Sequence, residues 1–315
     1  MSTEATIVPD PKASAPKPAA AVMQRARGRA FVAVEADGDG RTRLRDLYQE
    51  GCLKLRLPRG GGTRLSRAVP EAVLINTAGG LTGGDTLRIE AEVGAGASLA
   101  LATQTAERLY RAVDSTARIE TRLRVGAGGR LAWLPQDTIL FEGSALHRTL
   151  DVDLAEDARF LCVESLVFGR AAMGERIEHV RLRDDWRIRV GGRLVHAEAL
   201  RLGPDAAREL KRSAGWNGGT ASATVLGLVP DASRLLPDLH ALMGSTNGQG
   251  DVAGAADAWD GGSGPSRLVV RLVARDGFAL RSRLVPLLAL LNAAIHELEW
   301  RENGQTDLLP AVWSL

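Results

Sequence analysis

Alternation of apolar and polar residues with a period of two dominates the chain up to about residue 230. The clearest runs are 86–93 and 118–125, and the runs 146–154 and 176–183 follow the same pattern less strictly. Such alternation is typical of half-buried β-strands. Short clusters of turn residues separate the runs. Gly-Gly at 191–192 lies between two further runs, 186–190 and 193–198, which predicts a tight β-hairpin.

The succession of short strands predicts a mainly β protein. Because few helices separate these strands, the residues alone predict a predominantly antiparallel, extended architecture. No repeat of about 20–50 residues is visible in the sequence, so the residues alone do not predict a regular solenoid. Segment 104–111 fits a short helix and a strand equally well.

Helical patterns appear near the C-terminus. Residues 232–243 predict a helix with Asp231 as its N-cap and Gly244 at its end. Residues 286–299 predict a second helix, because their apolar side chains fall on one face. The Gly-, Ala- and Asp-rich segment 244–266 between the two helices predicts a mobile loop.

Composition narrows the class of function. The 315 residues include 40 Lys and Arg and 38 Asp and Glu, and this balance argues against a nucleic-acid binder, which shows a basic patch or stripe. Segment 1–23 lacks the layout of a secretory signal and predicts a disordered tail. The longest apolar stretch, 284–291, is too short to cross a membrane. These features predict a soluble, cytoplasmic protein.

Cys52 and Cys162 are the two cysteines of the chain. They lie far apart in the sequence, and neither belongs to a Cys-x-x-Cys pair. One long-range disulfide is an alternative, but two separate buried thiols in a reducing compartment are the favoured interpretation.

The segment 76–85 (NTAGGLTGGD) concentrates four glycines within six positions and ends in a carboxylate. Glycine is favoured where the backbone needs a positive φ or where another backbone approaches closely. A phosphate-binding loop is excluded, because no Gly-Lys-Ser/Thr follows and the next segment is a strand pattern rather than a helix. One interpretation is a plain turn before a strand, and the other is an interaction motif.

Common catalytic and metal-binding motifs are missing from the sequence. The chain contains neither a nucleophile elbow in a strand-to-helix setting nor a His-x-His, His-Glu-x-x-His or Cys/His cluster. The histidines are dispersed, and each is more typical of a surface or strand residue than of a ligand: His147, His179, His196, His240 and His296.

Carboxylates remain as the candidates for polar chemistry: Asp85, Glu107, Glu142, Glu164 and Glu175. Glu164 interrupts the apolar run 160–168, where a buried carboxylate requires a partner or water. One interpretation is an ion pair with an arginine such as Arg170, and the other is a polar group that lines an internal path or a protein contact. Spacing alone does not show that any two of these carboxylates converge.

Four segments in order carry a resemblance to a known family: 76–85, 104–111, 133–141 and 164–170, the last followed by Gly174 and Glu175. Together they resemble the UreD (or UreH) family of urease accessory proteins, and weaker matches follow at 216–220 and 310–313. The resemblance covers residues 24–315. The chain departs from the family pattern at Val163, where many relatives carry Trp, in a longer insert at 244–266, and in its N-terminal tail.

The resemblance implies a single β domain over 24–315, built as an extended, β-helix-like stack of short strands with two helices near the C-terminus. It also implies a protein that is not an enzyme but a scaffold for urease maturation. Such a protein binds apo-urease and, through UreF, the nickel-charged GTPase UreG, in a complex of two UreD copies with a UreF–UreG core. Nickel(II) passes through in transit and no cofactor is tightly bound, and neither nucleic acid nor a membrane is a partner.

The residues that carry the resemblance form a candidate set for partner contact or metal transit: Gly79, Gly80, Gly83, Gly84, Asp85, Glu107, Tyr110, Arg111, Glu164, Gly169, Arg170 and Glu175. Imidazole and thiolate ligands would hold nickel strongly, whereas scattered carboxylates and water suit a protein that hands the metal on. We therefore expect Asp85, Glu107 and Glu164 to line a wet internal path with transient metal contact.

Two other functions remain open at this stage. A metal-dependent hydrolase would require at least three of the candidate carboxylates to meet in one open pocket around an ion. A structural β protein without a transfer role would require no such convergence.

Overall fold

Two β-sheets packed face to face form the body of the protein, and helices cover the outer face of one of them. The computed structural model describes residues 24–58, 63–170, 174–244, 251–262, 264–300 and 305–313. The predicted disordered tail, 1–23, lies outside the described residues.

The described residues form seventeen strands. In chain order they are β1 (Arg27–Ala36), β2 (Thr42–Gly51), β3 (Leu53–Arg56), β4 (Glu71–Asn76), β5 (Thr86–Val93), β6 (Ser98–Thr103), β7 (Glu107–Leu109), β8 (Ala117–Val125), β9 (Arg130–Leu134), β10 (Thr138–Leu140), β11 (Ala145–Leu154), β12 (Arg159–Phe168), β13 (Arg181–Val190), β14 (Arg193–Leu202), β15 (Ala221–Val229), β16 (Val252–Trp259) and β17 (Ser266–Ala274). The alternating runs 86–93 and 118–125 are thus strands, and 104–111 contains a strand rather than a helix.

The chain passes back and forth between the sheets, so that successive coils stack on one another. The first sheet has the order β14-β13-β11-β8-β5-β1-β2, and the second has the order β16-β17-β15-β12-β9-β6-β4-β3 with β10 and β7 beside β12. Strands that neighbour each other in the centre of each sheet are parallel. This confirms the β-helix-like stack of short strands that the resemblance implies.

The expectation of a predominantly antiparallel architecture is wrong for the centre of both sheets. Antiparallel pairs occur at the ends, including the hairpin β13–β14 that turns at 191–192, as predicted. The reason is that in the centre of the stack the chain alternates between the two sheets, so that strands paired in one sheet are joined through the other, and period-two alternation carries no information on strand direction. The starts of β5, β8 and β11 are about 30 residues apart, so the solenoid period exists in the backbone although the residues do not repeat.

Two apolar layers hold the structure together. The first layer lies between the sheets, and the second lies between the second sheet and the helices. β12 serves both layers, because Cys162 and Leu166 face the first and Leu161 and Val163 face the second. A strand buried on both faces reads as a continuous apolar run, which accounts for the composition of segment 160–168. Both cysteines are free thiols, as expected, and Cys162 is buried, but Cys52 is half-buried rather than buried.

Four α-helices lie among the described residues: α1 (Arg64–Ala68), α2 (Ala206–Lys211), α3 (Leu236–Gly244) and α4 (Gly277–His296). Short 3-10 helices cover Ala232–Leu235, Gln305–Leu308 and Ala311–Trp313. The two predicted C-terminal helices are therefore present. The indole of Trp313 is buried in the second layer and donates a hydrogen bond to the Leu134 carbonyl at 2.9 Å, which fixes the C-terminal segment on the sheet.

The predicted ends of both C-terminal helices need correction. Asp231 adopts a left-handed conformation with φ 48° and lies 3.7 Å from Arg234, rather than capping the helix with its side chain. The last helix begins at Gly277, nine residues before Pro286, because the Asp276 carboxylate accepts a hydrogen bond from the Ala279 amide at 2.8 Å. Pro286 lies inside that helix.

The insert predicted as a mobile loop contains a strand. β16 pairs antiparallel with β17 along its whole length and forms one edge of the second sheet. The prediction of a loop is therefore wrong for Val252–Trp259. Most side chains of this segment are small, and its position as an edge strand leaves most of them exposed. Residues 245–250 and 263 of the insert lie outside the described part of the chain.

The helix α4 is the one described helix that is long and apolar enough to cross a membrane by length and composition. Two-thirds of its apolar window (67%) is buried inside the protein, where it packs on β15, β12, β17 and β9. Burial within the fold accounts for its apolar surface.

The cap of α4 gives a direct test of this account. We expect Asp276→Ala to lower the free energy of unfolding by about 1 kcal/mol, because the Ala279 amide loses its hydrogen-bond acceptor. Urea denaturation measures the change. Asp153→Ala is the matched control, because Asp153 is exposed and lies 3.9 Å from Arg189. Equal losses in the two variants would contradict the assigned cap.

Candidate functional site

A polar cavity of about 250 Å³ lies between the two sheets. Its wall combines apolar side chains of both sheets with a few polar ones, among them Asn76, Glu107, Thr138, Arg148 and Glu164. Exposed residues around Gly79 and Thr105 form its outer end, so this first cavity opens towards the surface at the glycine-rich segment.

Glu107 occupies the outer part of the first cavity. It lies on β7, where it is the register partner of Thr138 on β10. Both of its carboxylate oxygens accept hydrogen bonds from the Asn76 amide, at 3.1 and 3.0 Å. Burial raises the pKa of Glu107, and the Asn76 hydrogen bond opposes the rise. A neutral amide satisfies this carboxylate without cancelling its charge, so Glu107 contributes a negative charge to a wall that also carries Arg108 and Arg148.

Glu164 lies at the inner end of the same cavity, and its partner is Arg148 rather than Arg170. The expectation of a pair with Arg170 is wrong, since Arg170 is exposed and pairs with Glu175. Glu164 is fixed from two directions. Arg148 Nη1 donates a hydrogen bond to its Oε2, and Trp133 Nε1 donates one to its Oε1 at 3.2 Å.

Arg148 joins Glu164 to a second buried carboxylate, Asp184. The guanidinium donates from Nε and Nη2 to the two oxygens of Asp184, at 3.1 and 2.6 Å, and from Nη1 to the hydroxyl of Thr138 at 3.1 Å. Arg148 and Asp184 belong to the first sheet, whereas Glu164 belongs to the second. We call Arg148, Glu164 and Asp184 the buried triad. It is a charged bridge between the sheets, and its side chains are only 5–6% exposed.

The triad holds one cation and two carboxylates, so it has a net charge of −1 when both acids are ionised. Burial would lower the pKa of Arg148, but Asp184 and Glu164 outweigh that effect and raise it, so the guanidinium stays charged. Burial raises the pKa of Glu164 to about 7, with the Asp184 charge adding to the rise and Arg148 opposing it. A single guanidinium cannot neutralise two anions. The unfavourable desolvation of the second negative charge therefore appears as the raised pKa of Glu164.

A second cavity of about 240 Å³ lies on the other side of the triad. Arg148 and Glu164 line it as well as the first cavity, and Asp184 faces only this one. Its outer end includes exposed Gly215 and an ion pair that joins the two sheets, in which Arg271 Nη1 donates to Glu198 Oε1 at 3.1 Å. The two cavities together form a polar row across the strands, interrupted at Arg148.

Asp85 lies outside both cavities. Its Oδ1 accepts a hydrogen bond from the Ala26 amide and its Oδ2 one from the Thr82 amide, both at 2.8 Å. The side chain is buried, and its charge contributes to the raised pKa of Glu107 from a distance. Asp85 therefore stabilises the glycine-rich turn, and its geometry suits this role better than that of a wall of an internal path.

The glycines of segment 76–85 make close backbone contacts. A Cβ atom on Gly80, where φ is 147°, would lie 2.4 Å from the Tyr110 ring, and one on Gly83 would lie 2.3 Å from the Ser115 carbonyl oxygen. Gly79 and Gly84 also have positive φ. The turn is thus packed against segment 108–115, and the hydroxyl of Thr82 donates to the Arg111 carbonyl at 2.7 Å. Of these glycines, Gly79 and Gly80 line the first cavity.

A group of partly exposed side chains around the buried Phe141 ring contains most of the other predicted residues. Tyr110 contacts Phe141 edge-on with ring centroids 5.2 Å apart, and the Arg170 guanidinium lies 4.8 Å from the Phe141 ring. Arg170 Nε donates to Glu175 Oε2 at 2.9 Å, and Gly169, with φ 77°, begins the turn that presents Arg170. We call Tyr110, Phe141, Arg170 and Glu175 the surface group. Because Gly80 contacts Tyr110, this group lies beside the outer end of the first cavity.

The convergence that a metal-dependent hydrolase requires is not met. Of the five candidate carboxylates, Glu107 and Glu164 line the first cavity, whereas Glu142 lies 2.9 Å from His179 Nδ1 at the surface. Among the residues that the structure describes, His, Cys, Asp and Glu side chains form no group of three or more that could hold a metal ion.

Among the charged residues that line the cavities, four on the strands escaped the sequence analysis: Arg148, Asp184, Glu198 and Arg271. The signal for two of them was present in the alternation. Arg148 lies two residues from the buried Leu146 and Leu150 in β11, so it occupies the same face of the strand. Asp184 lies two residues from the buried Leu182 and Trp186 in β13 in the same way. A charged residue at an inward position of a strand points to a buried polar contact.

The fold and the cavities define a β-solenoid-like protein with a polar interior between its sheets. The profile of the family described as UreD urease accessory protein matches residues 26–307. "Urease accessory protein UreD 1" of Brucella abortus is 46% identical to this chain over 293 residues, which cover 93% of the chain and 95% of that protein. "Urease accessory protein UreD" of Rhizobium leguminosarum bv. viciae is 46% identical over 292 residues, 93% and 96% of the two chains.

The chain therefore belongs to the UreD family of urease accessory proteins, and the resemblance drawn from the four sequence segments is confirmed. Membership of this family implies a role in urease maturation.

The raised pKa of Glu164 predicts a pH dependence of stability. Its unfolded pKa is about 4.3, so the folded state binds the proton more tightly. The stability from this group is present below pH about 4.3 and is lost as the pH rises through about 7. We expect the wild type to lose about 3 kcal/mol of unfolding free energy relative to Glu164→Gln between these limits. Urea denaturation across that range measures it, and parallel curves would contradict the assignment.

The close contact of Gly83 predicts a cost for any side chain there. We expect Gly83→Ala to lower the free energy of unfolding by about 1–3 kcal/mol, because the new methyl group meets the Ser115 carbonyl. Gly38→Ala is the control, since a Cβ at Gly38 has nothing within 4 Å. Thermal or urea denaturation compares the two, and a Gly83 variant as stable as the control would show that the turn can move away.

Proposed function

We propose that this protein is a non-catalytic urease maturation factor through whose interior nickel(II) passes on its way to apo-urease. The observation that carries the proposal is the pair of carboxylates, half-buried Glu107 and buried Glu164, in one cavity that opens to the surface. Family membership supplies the setting in urease maturation.

The chemistry of the cavity walls supports transit rather than storage. The polar groups that line the two cavities are carboxylates, amides, hydroxyls and arginine side chains, set among apolar ones, and the described lining residues include neither histidine nor cysteine. Imidazole and thiolate bind divalent nickel strongly, whereas isolated carboxylates and water bind it weakly. A nickel ion in these cavities would keep most of its water and exchange quickly.

The surface group supports a protein contact beside the cavity. Tyr110 is 43% exposed, and aromatic residues and arginine are enriched at protein interfaces. We propose that this face of the protein meets a maturation partner, so that metal enters or leaves the cavity inside a complex. The partners we propose are UreF, UreG through UreF, and apo-urease, in a cytoplasmic complex that holds two copies of this chain with a UreF–UreG core.

The transit role is tested by removing the two cavity carboxylates one at a time. We expect Glu107→Gln and Glu164→Gln each to lower the nickel loaded into urease about tenfold, as expected for the loss of one charge-assisted contact. The measurement is urease activity and nickel content after co-expression with the urease subunits and accessory proteins. Pull-down of UreF should be unchanged in both variants.

Glu92→Gln is the matched control, because Glu92 lies on the outer face of the first sheet, where it pairs with Arg45 and Arg124. It should activate urease fully. Asp85→Asn separates the roles of the predicted carboxylates, and we expect it to lower stability rather than to block transit in the protein that folds. Full nickel loading in both cavity variants would overturn the proposal.

A further inference from the structure

The two cavities meet at one side chain. Arg148 and Glu164 line both cavities, and the guanidinium lies between them with Glu164 on the second sheet and Asp184 on the first. The outer ends of the two cavities are formed by different strands, β4 and β6 for the first and β14 and β17 for the second. The polar row across the protein is therefore interrupted in its middle.

Of the three charged side chains, Arg148 has the longest stem, and its guanidinium is held by four hydrogen bonds, to Asp184, Thr138 and Glu164. Trp133 Nε1 holds the oxygen of Glu164 that Arg148 leaves unpaired, and Glu164 has a short stem on a strand buried on both faces. Asp184 has the shortest stem of the three. Arg148 has a long aliphatic stem, and a cavity on each side offers space for its guanidinium.

The charges of the triad favour replacement of the guanidinium by a stronger cation. The site holds two carboxylates against one positive charge, and a divalent ion between them would gain about twice the Coulomb attraction of a guanidinium at the same place. A divalent ion also accepts carboxylate oxygens as ligands. The guanidinium therefore occupies the position that such an ion would take.

We propose that Arg148 is a displaceable gate between the two cavities, which a divalent cation opens by competing with the guanidinium for the carboxylates of Glu164 and Asp184. The gate rests on the transit function proposed above, and it specifies what controls the passage of the ion between the two cavities. In the absence of metal the guanidinium closes the path and satisfies both acids. When the ion has passed, Arg148 returns, because two unpaired buried carboxylates are costly.

Arginine suits this role better than lysine. Its planar fork binds Asp184 through two nitrogens and reaches Glu164 through a third. A lysine ammonium is a point charge that cannot span both acids in this way. The gate thus depends on the shape of the guanidinium as well as on its charge.

The first test is nickel binding to the purified full-length protein by equilibrium dialysis against nickel sulfate, with metal analysis. We expect Arg148→Met to bind one nickel ion per chain more than the wild type, because both carboxylates are left free. The affinity of this site for nickel should be at least about tenfold higher than in the wild type. The triple variant Arg148→Met, Glu164→Gln, Asp184→Asn should lose that ion. Wild-type binding in a folded Arg148→Met protein would overturn the gate, as would retention of the ion in the triple variant.

A second test uses the wild-type protein, since Arg148→Met leaves two buried charges and can fail to fold. In protein labelled with ¹⁵N-arginine, the Nε–H of Arg148 is hydrogen-bonded to Asp184 and should give a protected signal, assigned by its loss in Arg148→Lys. Zinc sulfate, a diamagnetic divalent probe, should shift this signal and speed its exchange with water. An unchanged signal at saturating zinc would overturn the gate.

The two proposals can fail separately. Transit would be rejected if Glu107→Gln and Glu164→Gln load urease normally. If Arg148→Met nevertheless binds extra metal, the competition between the cation and the Arg148 guanidinium would still hold. Impaired loading in the cavity variants with unchanged metal binding in Arg148→Met would keep transit and reject the gate.

Discussion

Burial of the second sheet on both faces is the constraint on which the structure depends. One face of its central strands packs on the first sheet and the other on α4 and the C-terminal segment, so these strands are mostly apolar. A charge buried on such a sheet requires a partner. Glu164 receives that partner from the first sheet, and the contact between Arg148 and Glu164 consequently fixes how the two sheets face each other at the centre of the protein.

Strand positions could be predicted from the residues, but their pairing could not. Alternation placed β5 and β8 correctly, because a half-buried strand must alternate. It could not show that β5 pairs in parallel with β8 rather than with the next strand along the chain, since the connection runs through the other sheet. The family resemblance supplied the stack that the pattern of residues left open.

The candidate site shows the same division. Glu107 and Glu164 were recognised as unusual carboxylates and do share a cavity, yet Asp85, which looked equivalent in the sequence, is held by two backbone amides. The partners Arg148 and Asp184 lie on strands 16 residues before and 20 residues after Glu164, and only the stacking of coils brings them together. The polar interior and the surface group are also distinct: one can carry an ion, and the other can bind a protein.

The direction of the cavities has a consequence for how the protein can vary. The cavities run across the strands, from β4 in the second sheet through β6, β9, β12 and β15 to β17. Neighbouring strands are about 4.8 Å apart, so the distance crossed is about 24 Å. That distance depends on the number of stacked coils and not on the number of residues in each coil. Turns at the rim of the stack can lengthen or shorten without changing it, whereas the gain or loss of one coil would change it by a fixed step.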